Sequence, residues 1–440
     1  MKLHLQLLLS LLLFTALPPY LSAQRNDLLF PPGQQKVDIP FDYQNNFIIV
    51  SLVFNEIFPL RFIFDTGAEN TILIQREITD LLQVDYQKRF TIQGADLGTP
   101  LFAYLARGIH LRLGDLHAYD RSILVLEEDY FHFDQFSGID VHGILGADFF
   151  RRFVVKINYQ KQVITLQDPV SFKPPKGGRY FEYPMEVHRN KPYIRVETLL
   201  TNDTMVNTKL LMDTGASIPL LLYTATNPLL RMPAKVIESN IGIGLGGIIY
   251  GYLGRIKQLK LQKHPYEEIL TNFQELPPVV DTSFLHGRNG IIGNQLLERF
   301  VILIDYIHEK LYLQPDVGYK NDFIFDRSGL ILAASGDNLN KFTVFDLVRN
   351  GPAERAGIMR GDEIRTVNGL PSRFFKLEDL NQKFRQKLGK KIKLVIYRNE
   401  VRMEKEFVLE LIIWFKYPPL LVKTEEGQSY RIGKIALLLF

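Results

Sequence analysis

Two short motifs carry the residues with chemical potential. Asp65-Thr66-Gly67-Ala68 recurs as Asp213-Thr214-Gly215-Ala216, 148 positions further on. An apolar triplet precedes each Asp, at residues 62–64 and 210–212, which places each carboxylate at the end of a buried strand. Equivalent positions of a duplicated unit meet across a pseudo-two-fold axis. Two carboxyls held about 3 Å apart cannot both ionise, so one keeps a proton. The ionised partner then takes a proton from a trapped water, and that water attacks an amide carbonyl. The protonated partner supports the oxyanion, and a proton passes to the leaving nitrogen. Such a pair titrates as one unit. Gly67 and Gly215 let backbone N–H groups approach the carboxylates, and Thr66 and Thr214 are placed to hydrogen-bond across the junction.

The rest of the chain supplies the duplication this chemistry needs. Residues 99–113 (TPLFAYLARGIHLRL) align with 247–261 (GIIYGYLGRIKQLKL), matching Tyr104 to Tyr252 and Arg107 to Arg255. Residues 143–167 align with 290–314 at an offset one residue shorter. Three blocks in the same order define two homologous units, 37–170 and 179–316, separated by the Pro- and Gly-rich linker 171–178. Both units read as mainly β, with β-branched and aromatic runs such as FVVKINY and FVILIDY. Short helices are expected after Gly146 and Gly293. A different pattern fills 321–412, and 413–440 matches no recognisable unit.

Composition narrows the function classes. Hydrophobic residues make up 46% and charged residues 23%, the balance of a globular protein with sizeable cores. The net charge of +4 is scattered among acidic residues and argues against a nucleic-acid partner. No cysteine is present, which excludes disulfides, thiolate catalysis and Cys-ligated metal. The nine His residues show no HExxH spacing, so neither a metal nor a cofactor is expected. Gly242, Gly244 and Gly247 spell GxGxxG, but no helix-forming segment follows, so a phosphate site is not read there. Residues 1–23 have the form of a secretory signal: Lys2, an apolar run from 7 to 17, two prolines, then Leu21-Ser22-Ala23. An exported protein, periplasmic or extracellular, is expected, with no stable membrane span after signal removal. Export without disulfides fits a bacterial protein.

The doubled motif resembles the aspartic proteases of the pepsin and retropepsin superfamily. That family pairs each Asp-Thr-Gly with two hydrophobic residues and a Gly near the end of the unit. Here these are Ile144-Leu145-Gly146 and Ile291-Ile292-Gly293. The resemblance covers about 280 residues and implies two β-barrel lobes, with Asp65 and Asp213 as the catalytic dyad. It also implies that the second elements pack beside the catalytic loops in a psi-shaped crossing. Ala68 and Ala216 after the Gly are the retropepsin form, so the chain resembles a retropepsin-type dimer fused into one polypeptide, or a compact bacterial relative of pepsin; for either a monomer suffices. The resemblance implies polypeptide substrates, no cofactor, and activity best at acidic to mildly acidic pH. Family flaps are glycine-bearing hairpins. The equivalent loops here carry Gly94 and Gly98 in the first unit, and Gly244, Gly246 and Gly247 in the second. Pepsins have one flap and retropepsin dimers two, and both arrangements stay open at this point.

Residues 321–412 resemble a bacterial PDZ domain through VRNGPAERAGIMRGDEIRTVNG. Such domains bind an extended C-terminal peptide by strand addition and hold its carboxylate on backbone amides. The corresponding loop is Gly329-Leu330-Ile331-Leu332, with Ile331 where the usual pattern has Gly. The rival reading from another class is a catalytically silent protein that uses the cleft and the PDZ groove to hold extended chains.

Overall fold

The computed structural model describes residues 30–413 apart from 95–99, 131, 246, 263 and 277–281, together with 421–423 and 429–431. The molecule is mainly β. In the first lobe, Phe47–Phe54 and Phe58–Phe64 form an antiparallel hairpin, with Ile49 opposite Ile63. Its turn residues Asn55 and Glu56 both have positive φ, which matches the right-handed twist of the strands. In the second lobe, Lys191–Leu199 and Met205–Met212 pair in the same way, with Tyr193 opposite Leu211. Each hairpin ends on an Asp.

The chain then turns back beside its own origin. Gly143–Leu145 runs parallel to Phe58–Phe64, pairing Phe64 with Leu145, and antiparallel to Ile72–Leu73. Gly290–Ile292 does the same between Met205–Met212 and Leu220–Tyr223. Ile144, Leu145, Ile291 and Ile292 therefore lie in the strand wedged between the chain entering and the chain leaving each Asp loop. Gly146 and Gly293 start the short helices Ala147–Phe150 and Asn294–Leu297. A Cβ on either glycine would run into backbone of the Asp loop, around Asn70 or around Ala216 and Ile218.

The lobes share a six-stranded sheet in the order Lys36–Pro40, Val163–Gln167, Val154–Asn158, Phe300–Asp305, Lys310–Pro315, Phe181–Pro184. The pseudo-two-fold passes between Val154–Asn158 and Phe300–Asp305, which pair antiparallel with Val154 opposite Asp305. One continuous core spans both lobes, including Phe64 stacked on Phe150 at 4.2 Å. This places the two Asp loops over a rigid, shared floor.

The third unit has its own core around Leu332, Phe342, Ile364, Leu380 and Ile396. Its sheet runs Leu330–Ser335, Lys341–Leu347, Glu363–Val367, Lys391–Arg398, Val401–Val408. Helix Leu377–Phe384 covers it through Leu377, Leu380 and Phe384, spaced for one helical face. The connecting segment is pinned to the second lobe. Arg255 Nη2 donates to Phe323 O at 3.0 Å, and the Arg299 guanidinium lies 3.6 Å over the Phe323 ring. Within the tail beyond residue 413, Leu421–Lys423 and Ser429–Arg431 pair as a small hairpin.

Candidate active site

The two Asp loops hold each other. Thr66 Oγ1 donates to Met212 O at 2.7 Å, and Thr214 Oγ1 donates to Phe64 O at 2.7 Å. Each hydroxyl also accepts the opposite threonine's backbone N–H, at 3.0 and 3.1 Å. Both threonines are buried, where such bonds are strongest. Asp65 N–H donates to Leu145 O and Asp213 N–H to Ile292 O, so each Asp is also tied to its wedged strand.

This lock sets the two carboxyls side by side. A Cβ on Gly67 would collide with the Asp213 carboxyl, and one on Gly215 with the Asp65 carboxyl. Glycine is required there for space, because each loop is the packing surface of the other lobe's carboxylate. Asp65 Oδ1 accepts the N–H groups of Gly67 at 2.6 Å and Ala68 at 3.1 Å, and Asp213 Oδ1 accepts that of Gly215 at 2.9 Å. Ala216 lies in the same loop, its backbone bonded by Asn294 N–H at 2.8 Å.

Burial pushes Asp65 well above the usual carboxylate range, and the adjacent Asp213 pushes it further. Burial raises Asp213 too. The hydrogen bond from Asp65, the Gly215 N–H and the charges of Arg288 and Lys191 draw it back. Asp65 accepts one more backbone N–H, which favours its ionised form, but both cations act on Asp213. These effects favour the shared proton on Asp65 over Asp213.

Each lobe carries a hairpin at the expected flap position. Tyr86–Gln93 pairs with Pro100–Leu113 in the first, and Ile237–Gly244 with Gly247–Arg255 in the second. Gly247 sits at the second tip with φ of 105°, and Gly244 pairs with it. Leu245, also at this tip, packs on the first lobe's cluster of Ile72, Phe133 and Ile144, so this hairpin crosses the cleft. In the first hairpin Gly94 is buried. Gly98 and Gly246 lie outside the described residues.

In the third unit, part of the expected carboxylate loop is already occupied. Asp326 Oδ1 accepts the Ser328 and Gly329 N–H groups at 2.8 and 2.6 Å, and Leu330 N–H donates to Ser328 Oγ at 3.0 Å. Ile331 and Leu332 lie in the edge strand, facing Lys341–Leu347, with a bulge between them. The first-lobe helix Phe133–Ser137 lies against that edge strand. Phe136 meets Phe345 edge-on at 4.7 Å, and Gly138 abuts Leu377.

Several residues around the dyad were not singled out from sequence. Asn294 Nδ2 donates to Thr214 O at 2.6 Å and Asn46 O at 2.8 Å, tying one loop to the opposite lobe. Lys191 and Arg288 act electrostatically on Asp213. The signal was available in the repeat: these three stand where the first unit has Ala147, Phe47 and Val141, at positions defined by the strand registers. Among the described residues, no three His, Cys, Asp or Glu side chains cluster to hold a metal ion. No helix among them is long and apolar enough to cross a membrane.

Residues 50–149 match the family model for an aspartyl protease, and residues 344–398 match that for a PDZ domain. No curated protein matches the chain. Among solved structures, the chain is similar to an aspartic proteinase from Irpex lacteus at 13% identity, covering 65% of this chain and 99% of that one, with a TM-score of 0.42. The first lobe thus carries an aspartyl-protease domain, and the third unit a PDZ domain.

Proposed function

We propose that this chain is an exported aspartic endopeptidase in which Asp65 and Asp213 form one catalytic pair. The observation that carries the reading is the reciprocal threonine lock, which holds two half-buried carboxyls together at the junction of two lobes. Asp213 takes a proton from a water held between the carboxyls, and the water oxygen attacks the peptide carbonyl carbon. The Asp65 proton stabilises the developing oxyanion. Collapse of the tetrahedral intermediate breaks the C–N bond as the leaving nitrogen takes a proton from Asp213. Every step uses groups of this chain, and both carboxyls belong to one polypeptide. Leu245, reaching across the cleft, supports a lid that excludes water around an extended substrate.

Export rests on the signal-like residues 1–23. The PDZ domain is assigned to regulation in preference to recruitment, because the first-lobe helix Phe133–Ser137 already lies against its edge strand, and two of its loop amides are bonded internally. The test is digestion of unfolded casein at pH 4–6 by the full chain and by Asp65→Asn. Internal cleavage by the parent, lost in the variant, supports the reading. Equal digestion by both, or none by the parent, overturns it in favour of a chain-holding protein.

A further inference from the structure

The internal repeat lets the walls on either side of the dyad be compared position by position. The register Ile49–Ile63 in the first lobe and Tyr193–Leu211 in the second makes Phe47 equivalent to Lys191. Leu73 pairs with Gly143 and Leu222 with Gly290, so Ile74 is equivalent to Tyr223, and Val141 to Arg288. The bonds from Ile74 N–H to His142 O and from Tyr223 N–H to Asn289 O, both 2.8 Å, fix the same correspondence. In the first lobe these positions form an apolar wall: Phe47, Ile74 and Val141 are buried with Ile72 and Phe133, and Ala68 of the Asp65 loop packs on them. In the second lobe the same wall carries an ammonium, a phenol and a guanidinium.

Neither cation has a carboxylate within ion-pair distance among the described residues. Lys191 is half-buried, and its ammonium forms no hydrogen bond and no ion pair within 4 Å among the described residues. Arg288 is also half-buried. Its Nη2 donates to Tyr223 OH at 3.2 Å, its guanidinium lies 5.3 Å from the Tyr223 ring, and its Nε is buried without a partner. The anions facing them are Asp213 and Glu69, and Glu69 is already paired with Arg189 at 2.9 Å. A half-buried cation without a directly paired counter-ion is costly to keep. Two of them, both acting on the Asp213 carboxyl, are a site that an anionic ligand completes.

We propose that Lys191 and Arg288 form a substrate subsite on the second-lobe side of the dyad, and that it takes the side-chain carboxylate of an Asp or Glu next to the scissile bond. The apolar wall of Phe47, Ile74 and Val141 receives an apolar side chain on the other side. This specificity rests on the reading of Asp65 and Asp213 as the catalytic pair. A free C-terminal carboxylate of a short peptide has the same chemistry and is separated from a side chain by the test.

The test uses internally quenched decapeptides, acetylated and amidated at their ends, with Glu or Gln scanned across a cleaved bond. At pH 5.5 the parent is expected to favour Glu over Gln at one position by about tenfold in kcat/KM, mostly through KM. The preference should fall toward unity below about pH 4, as the substrate Glu is protonated. It should also fall toward unity in Lys191→Met and Arg288→Met, and turn toward Lys peptides in Arg288→Glu. Equal cleavage of Glu and Gln peptides, or a preference that survives the double Met variant, overturns the subsite and leaves the protease reading standing. A preference seen only in peptides with a free C-terminus overturns the side-chain assignment. Cleavage of none of the peptides removes the protease reading. The subsite is then judged by binding of the same amidated peptides to Asp65→Asn, where equal affinity for Glu and Gln forms overturns it.

Discussion

Beside Asp65 the first lobe sets Phe47, Ile74 and Val141; at the same places beside Asp213 the second lobe sets Lys191, Tyr223 and Arg288. Beneath the dyad the lobes differ again. Tyr159 OH donates to Asn294 Oδ1 at 2.7 Å, whereas its counterpart Tyr306 is buried with no partner among the described residues. The reason is local: Ala147 stands where the second lobe has Asn294, so the amide that would meet Tyr306 is missing. What stays common to both lobes is the backbone course, the threonine lock and the two glycines against the opposite carboxyls. The difference teaches that paired carboxyls constrain loop geometry on both sides but leave the surrounding walls free to diverge, one toward apolar contact and one toward charge.

The largest expected effect tests the common part. Asp65→Asn and Asp213→Asn should each lower kcat/KM by roughly 10²–10⁴-fold, because neither carboxyl works without the other. A loss confined to one lobe would break the equivalence. Both carboxyls are raised in the folded state, so the fold binds protons more tightly than the unfolded chain does. Stability is unaffected below the unfolded carboxylate range and falls as pH rises from there through the raised folded values. Asp65→Asn should therefore raise Tm at neutral pH and leave it unchanged below about pH 4, as followed by calorimetry.

Next in size are Gly67→Ala and Gly215→Ala. Each new methyl must displace the opposite carboxyl, and a misplacement of about 1 Å costs on the order of 10² in rate. Similar losses in steady-state kinetics for the two variants are expected from the symmetry of the lock.

Smaller effects sharpen the asymmetry. Lys191→Met removes a charge that draws Asp213 down, so the acidic limb of the kcat/KM profile should move to higher pH. An equivalent polar change at Phe47 has no unpaired cation to compare with and should act through packing. Smallest is the tyrosine pair. Tyr159→Phe leaves Asn294 Oδ1 short of a donor and should cost about 1–3 kcal/mol by denaturant titration. Tyr306→Phe breaks no bond of the structure and should be neutral or stabilising.

Much of this frame was legible in the sequence because duplication repeats it. The Asp-Thr-Gly motifs, the Ile-Leu-Gly and Ile-Ile-Gly elements and the short helices after Gly146 and Gly293 each occur twice, so the second copy interprets the first. Residues that differ between copies were harder to read. Lys191 looks like a hairpin lysine until the register of its strand sets it toward Asp213, and Arg288 a loop arginine until its charge is seen to act on that carboxyl. The PDZ pattern was clear, but the internal bonding of Gly329 and Leu330 and the approach of Phe133–Ser137 depend on contacts far apart in the chain.

The central claim is that one proton is shared between carboxyls from two lobes, and a carbon-13 titration of aspartate-labelled protein addresses it directly. The account predicts two separate steps shared by the Asp65 and Asp213 Cγ signals, both raised and the later one well above the usual carboxylate range, with the coupling abolished in Asp213→Asn. Two independent titrations near pH 4, unchanged for Asp65 when Asp213 is replaced, would contradict it.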